Sequence, residues 1–282
     1  MKEVTTDKGT VSIPVNPERV VANYSTDLDY ALVLGLPVVG GGPLRGEIGY
    51  PFAAHQKTYD LEGITPLAIF PQINFESLIG LKPDVIIANY TMEPNGYELL
   101  SAIAPTIWLN PDINGGWRGL LRRYGDAFGR SDVAETFIAD YEKRKDEVRK
   151  GLPPGLKVAL VNNLGDGTFV LMQANQLGVL YKDLGFEPSA HVPPTYPERQ
   201  AFSEERIDLL EDADVLFLWR NLRPDGTRDT QAYDRMRSIP GWDDLPAVKA
   251  GQVHDFPVEL FYTSPLTDRA VLDLVDDLFK GH

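Results

Sequence analysis

Two stretches of the 282-residue chain repeat one pattern, and that repetition is the strongest constraint on its fold. Residues 19–89 and 157–219 each read as an apolar strand, a helix ending in Leu-Gly, a long loop, a capped helix, and a strand opening with Asp-Val. The Leu-Gly pairs are Leu34-Gly35 and Leu184-Gly185. The caps are Asn74 and Ser203, each with a glutamate two positions on, Glu76 and Glu205. Strands that alternate with helices form parallel sheets, so the pattern predicts an α/β protein. One larger doubly wound sheet is the alternative to two similar lobes.

Between the repeats lie two helical stretches. The first covers roughly 117–128 and stops at Gly129. The second starts at Ser131 and runs to about Lys150, with Val133, Ala134, Phe137, Ile138, Tyr141 and Val148 at helical spacing. Twenty residues at ~1.5 Å each span ~30 Å, enough to join two lobes. Boundaries follow: an N-terminal lobe over 1–129, a linker helix over 130–151 and a C-terminal lobe over 152–282. Such an arrangement places a ligand cleft between lobes, outside the carboxyl ends of parallel strands. In the second lobe a helix is expected from about Gln176 to Leu184, and another after Ser203. A last helix starts at Ser264-Pro265 and ends near Lys280.

Charge and composition narrow the function. The 41 acidic and 27 basic side chains leave a net charge of −14. A nucleic-acid partner is not expected, because phosphate binding needs a basic footprint. Cysteine is absent, which excludes disulfides, thiolate metal sites and cysteine nucleophiles within the chain. The opening residues MKEVTTDKGTVSIP lack the apolar segment of a signal peptide. Gly40-Gly41-Gly42 lacks the Gly-Lys-Ser/Thr that completes a phosphate loop, and neither Gly-x-Ser-x-Gly nor His-Glu-x-x-His occurs. The four histidines, His55, His191, His254 and His282, are scattered rather than paired, so no metal site is expected.

Four segments in register resemble a known family. The run Asn74-Phe-Glu-Ser-Leu-Ile-Gly-Leu-Lys-Pro-Asp-Val-Ile-Ile resembles the signature helix and strand of ABC-transporter solute-binding proteins for ferric siderophores and cobalamin. GDAFGRSDVAETFIADYEKRKDEV resembles their linker helix, and the stretch from Ser203 to Leu218 resembles the second-lobe counterpart. The closing pattern from Pro257 to Leu278 fits too. The resemblance implies two Rossmann-like α/β lobes with parallel sheets, bridged by a single long α-helix. It implies a non-enzymatic protein without a cofactor, exported to the periplasm or anchored as a lipoprotein after its export signal is removed. Its ligand would be an iron(III)-siderophore complex and its partner a transmembrane permease, with the protein acting as a monomer. Cobalamin, haem or another metal complex is the alternative cargo, and a two-domain enzyme the alternative class.

The resemblance also nominates residues. Carried over by motif, Glu76 and Glu205 would dock on permease arginines, with Glu204 the neighbouring alternative. Residues just past strand ends or in long loops would line the ligand site: Tyr24, Arg45, Phe52, Phe70 and Tyr90 in the first lobe. Tyr196, Arg199, Trp219, Arg220, Phe261 and Tyr262 would do so in the second. Aromatic walls bury the apolar skirt of a chelate, and arginine or tyrosine donors reach its oxygens. Hydroxamate-binding relatives often carry an arginine just before the signature helix, where this chain has Leu67-Ala-Ile-Phe-Pro-Gln. The acidic balance and aromatic residues favour a hydroxamate, neutral or cationic, over a trianionic catecholate.

Overall fold

Val20, Val21 and Ala22 have no solvent exposure, and the strand they form is the centre of the first sheet. The computed structural model describes residues 1–42, 52–67, 73–90, 95–164, 166–195, 200–221, 227 and 231–280. Packing divides the chain into two units. Unit 1 holds Met1–Glu142 and Ser264–Arg269, and unit 2 holds Lys143–Thr263 and Ala270–His282.

Unit 1 begins with an antiparallel hairpin, β1 (Lys2–Thr6) and β2 (Gly9–Ile13). Its parallel sheet contains β3 (Val20–Ala22), β4 (Val38–Gly41), β5 (Thr65–Pro66), β6 (Val85–Ala88) and β7 (Thr106–Trp108), in the order β5-β4-β3-β6-β7. Helix α1 (Ser25–Val33) follows β3 and is buried on every side, so its Leu28 and Ala31 are only part of the surface it covers. Gly35 stops it with a φ of 62°, a conformation glycine adopts without a Cβ penalty. Helix α2 (Phe75–Gly80) is capped as expected, with Asn74 Oδ1 accepting from Ser77 N–H at 3.0 Å. Helices α3 (Gly96–Ser101) and α4 (Gly116–Phe128) follow, and α4 ends on Gly129 in the left-handed conformation.

Helix α5 (Ser131–Gly151) is continuous, and the division between units falls inside it. Its first half lies against α4 at Gly125. A Cβ there would meet the Ala134 methyl at 3.0 Å and Arg130 O at 3.2 Å, so any larger residue needs the two helices to give by a few tenths of an ångström.

Unit 2 contains β8 (Lys157–Asn163), β9 (Thr168–Leu171), β10 (Glu187–Pro188), β11 (Gln200–Ser203), β12 (Val215–Arg220) and β13 (Val253–Pro257). The main order is β11-β9-β8-β12-β13, with β10 also paired to β8. Strands β8, β10, β12 and β13 are parallel, as expected, whereas β9 runs against them and pairs antiparallel with both β8 and β11. A tight turn causes the difference. Gly167 has a φ of 89°, and Asp166 Oδ1 accepts from Thr168 N–H at 2.9 Å. That turn sends the chain straight back along β8, so no crossover helix intervenes. Short helices α6 (Gln231–Arg237) and α7 (Pro246–Lys249) lead to β13, and α8 (Pro265–Phe279) closes the chain.

Two helical expectations in unit 2 need correction. The segment expected as a helix over 176–184 is a 3₁₀ turn, Ala174–Leu177, followed by a π-helix, Val179–Asp183. The segment after Ser203 is a 3₁₀ helix, Glu204–Leu210, broken at Arg206 (φ −109°, ψ 35°). Ser203 makes no capping hydrogen bond there. Its backbone closes β11 instead, pairing with Thr168, which fixes it as a strand residue.

The repeated Asp-Val does the same job in both units. Asp84 Oδ2 accepts from Glu18 N–H at 2.6 Å and Asp84 Oδ1 from Arg19 N–H at 3.1 Å. Asp214 Oδ2 accepts from Lys157 N–H at 2.8 Å. Each carboxylate ties the entry of one central strand to the entry of its parallel neighbour, setting the register there.

A third aspartate anchors the N-terminal hairpin. Asp7 accepts from Arg123 Nη1 at 2.8 Å, Asn110 N–H at 2.6 Å and Asn114 Nδ2 at 2.7 Å. Partial burial pushes its carboxyl up, but the hydrogen bonds from Asn110, Arg123 and Asn114 and the guanidinium charge outweigh this and hold it low. A lowered native pKa gives stability that is present above the unfolded pKa and lost as pH falls through the native one. The Tm difference between wild type and Asp7→Asn is therefore full above about pH 5 and shrinks below about pH 4. Thermal melts at stepped pH check this, and a difference constant down to pH 2.5 would sink it.

Candidate functional site

In unit 1 the connections run from β3 to β4 and β5 on one side, then to β6 on the other. The crevice outside the carboxyl ends of β3 and β6 is thus the topological switch point, where open α/β sheets bind ligands. Asn23 continues β3 and donates from Nδ2 to Tyr90 O at 2.7 Å. This bond brings together two nominated residues. The rings of Tyr24 and Tyr90 meet edge-on, with centroids 5.6 Å apart and planes at 62°. Tyr24 is 7% exposed and Tyr90 47% exposed, so Tyr24 serves as the base and Tyr90 as the accessible surface.

Behind the tyrosines lies a polar network that sequence reasoning did not find. Asp27 Oδ2 accepts from Tyr24 N–H at 3.0 Å, and burial pushes its carboxyl well up, against hydrogen bonds from Tyr24 and Asn89. Asp29 is 1% exposed and accepts from Gln56 Nε2 at 2.7 Å, from the Ser264 hydroxyl, and from Thr267 Oγ1 at 3.4 Å. His55 Nε2 lies 3.4 Å from the same carboxylate. Gln56 Oε1 in turn accepts from Ala53 N–H at 3.0 Å. The half-buried Phe52 therefore enters unit 1 one residue before an anchored turn. Arg45 and Phe70 lie outside the described residues.

In unit 2 the strand ends bring together three more nominated residues. Trp219 and Phe261 meet at 4.5 Å between centroids with planes tilted at 55°, and Phe261 meets Tyr262 at 5.3 Å and 77°. Trp219 Nε1 donates to Asn221 Oδ1 at 2.8 Å, which fixes the indole. Phe261 is buried and Tyr262 is 40% exposed, the same base-and-surface arrangement as the tyrosine pair. Strand alternation puts Trp219 on the opposite face of β12 from Arg220. Arg220 is buried and donates from Nε to Asp255 Oδ1 on β13 at 2.8 Å. Asp255 carries no local sequence signal, because its partner lies 35 residues away on the neighbouring strand. Tyr196 and Arg199 lie outside the described residues.

The two docking candidates are both exposed. Glu76 sits in the first turn of α2 and Glu205 in the 3₁₀ helix of unit 2. Glu204, the neighbouring alternative, is tied to Arg235 Nε at 2.6 Å. His254 faces Gln252 Oε1 at 2.9 Å, and burial holds its pKa low. Among the described residues, no three His, Asp or Glu side chains gather as a metal-ion site, and no helix is long and apolar enough to cross a membrane.

Residues 51–260 match the family described as "Periplasmic binding protein". The chain belongs to that family. Among its curated relatives, "Probable siderophore-binding lipoprotein YfiY" of Bacillus subtilis is 28% identical over 95% of this chain and 83% of its own length. "Iron(3+)-hydroxamate-binding protein YxeB" of the same organism is 23% identical over 99% of this chain and 85% of its own. Among solved structures, SirA of Staphylococcus aureus, complexed with staphyloferrin B, superposes with a TM-score of 0.77. It is 26% identical and matches across 99% of this chain and 98% of its own. The periplasmic binding protein fold is therefore the setting of both aromatic clusters.

Proposed function

We propose that the protein is the extracytoplasmic binding component of an ABC importer for a ferric siderophore. It captures a preformed chelate, performs no chemistry on it and hands it to the permease. The iron is cargo, held by the siderophore's own oxygens, and the protein needs no resident cofactor. The single observation that carries this reading is the presence, in a member of this family, of an aromatic cluster at the strand ends of each unit. Those clusters are Tyr24 with Tyr90, and Trp219 with Phe261 and Tyr262. Each offers an apolar ring surface beside a polar group, which suits a ligand with an apolar skirt and an oxygen-rich centre. YfiY and YxeB are named as siderophore and hydroxamate binders, which supports an iron(III)-hydroxamate as the cargo here. Glu76 and Glu205 are the docking carboxylates in this reading, and the protein acts as a monomer with no nucleic-acid partner.

Tryptophan fluorescence tests the reading, because ferric chelates quench nearby indoles. Of the chain's four tryptophans, Trp117 and Trp242 are buried, Trp219 belongs to the unit 2 cluster, and Trp108 packs against the core cluster that holds Tyr24. Titration with ferrioxamine or ferrichrome gives saturable quenching, and Trp219→Phe and Trp108→Phe each remove part of the amplitude. Quenching only by haem or cobalamin would overturn the cargo. No response to any chelate, ferric citrate and a ferric catecholate included, would overturn the reading itself.

A further inference from the structure

A leucine stands exposed at the carboxyl end of the central strand of unit 2. Leu164 directly follows β8 and is 55% exposed. Its backbone is held by the β8–β9 turn, where Leu164 N–H donates to Thr168 O at 3.0 Å. Register gives its neighbours. Leu218 on β12 pairs with Val161 on β8, so Trp219 comes level with Asn162 one step further on. Leu164 lies two residues past Asn162, on the same face of the sheet as Trp219, because side chains alternate along a strand. At ~3.3 Å per residue and ~4.8 Å between strands, the Leu164 and Trp219 Cα atoms are roughly 8 Å apart. Trp219 carries the Phe261 ring, and Phe261 meets Tyr262.

Among the described residues of unit 2, Leu164 and Tyr262 are the large apolar side chains that stand exposed, at 55% and 40%. They occupy one edge of the sheet, because β8, β12 and β13 run parallel and both residues lie just past strands of that set. A single exposed leucine needs no explanation, but two large apolar groups at one edge, with no others exposed among the described residues of the unit, mark a binding face. The two groups differ in what they accept. Tyr262 presents a ring with a hydroxyl, which suits apolar and oxygen-bearing surfaces alike. Leu164 presents only methyl groups, so it gains from apolar surface, and a polar atom set against it loses water without gaining a partner.

We propose that Leu164 is a specificity-determining residue of the ligand site, which selects ferric chelates whose iron-binding groups are joined by aliphatic chains, an inference that rests on the function proposed above. Chelates with polar linkers of the same length are disfavoured.

The test compares two neutral ferric tris-hydroxamates that differ only in their linkers, pentamethylene chains in one and ether-containing chains of equal length in the other. Both are titrated against wild type, Leu164→Asn and Leu164→Met. Wild type prefers the pentamethylene chelate. Leu164→Asn, which keeps the side-chain size and loses the apolar surface, weakens that chelate about fivefold or more and leaves the ether chelate within about twofold. Leu164→Met, which stays apolar, keeps the wild-type ratio. A disturbed β8–β9 turn weakens both chelates together and leaves the ratio unmoved, and an unmoved ratio in Leu164→Asn overturns the inference while the proposed function stands. Wild type that binds the two chelates equally, or that binds a ferric catecholate or ferric citrate but neither hydroxamate, has the same meaning. Wild type that binds no ferric chelate, in a preparation that melts cooperatively, overturns the proposed function and this inference with it.

Discussion

Reversing Glu76 and Glu205 together to arginine abolishes uptake of the ferric chelate by cells, while the purified protein still binds it. Both carboxylates are exposed, and among the described residues neither takes part in an ion pair. Rim charges of this kind steer encounter and fix orientation, and like-charge contacts against partner arginines cost several kcal/mol. The double reversal therefore lowers import by well over about tenfold, and each single reversal falls between. Glu204→Arg is the contrast. Glu204 is held by Arg235, so reversing it disturbs a contact within unit 2 rather than one aimed outward. Radiolabelled-iron uptake beside fluorescence binding separates the two effects. Uptake that persists in the double reversal would remove both residues from the docking role. Binding that fails with uptake would mean the variants had lost their fold.

The second large effect falls on stability. Asp29→Ala lowers the melting temperature by on the order of 10 °C, from a loss of about 3–5 kcal/mol. The carboxylate is 1% exposed and gathers Gln56, Ser264 and Thr267, with His55 beside it. Removing it strands several buried donors at once, and each unsatisfied donor carries its own desolvation cost. Asp29→Asn keeps one acceptor oxygen and loses roughly half as much. Calorimetry of the three proteins decides the matter. A shift below about 2 °C in the alanine variant would show that the network contributes little.

Local chemistry accounts for what could be read from the chain alone. The Asn74 cap, the Gly35 and Gly129 helix stops and the apolar strands around Val20, Val85, Val158 and Val215 depend on neighbours within a few residues. They form where expected. The Asp-Val repeat was visible as a pattern, but its reason was not, because Asp84 and Asp214 bond to residues 65 and 57 positions away. The segment after Ser203 is a 3₁₀ helix rather than an α-helix, with its backbone leaving helical values at Arg206, and the pairing of Ser203 with Thr168 across the sheet was not legible in the local sequence. Asp166-Gly167 is a hairpin signal that reveals β9 when it is read as a turn.

The candidate site divides in the same way. Tyr24 and Tyr90 follow strand ends and Trp219 lies one residue before the end of β12, so strand assignment alone places them at the rims of the sheets. Phe261 and Tyr262 come from the turn after β13, which required only that the last strand be recognised. Asp29, Gln56 and Asp255 were missed because partnership, not residue type, makes them informative. Asp29 lies on a helix with no solvent face, and two of its partners are 235 and 238 residues away.

That separation has a consequence for how the chain is made. Ser264–Arg269 belong to unit 1, although about 120 residues of unit 2 precede them in the sequence. A ribosome working at about 5–20 residues per second delivers Ser264 roughly 10–50 s after Asp29. During that interval Asp29 lacks the two hydroxyls, and Trp117 lacks the Asp268 carboxylate that accepts from its indole N–H at 2.9 Å. The first half of the protein to be synthesised is therefore the half that cannot finish folding until the last helix emerges. A nascent chain latched from its far end stays unlocked until translation is nearly complete.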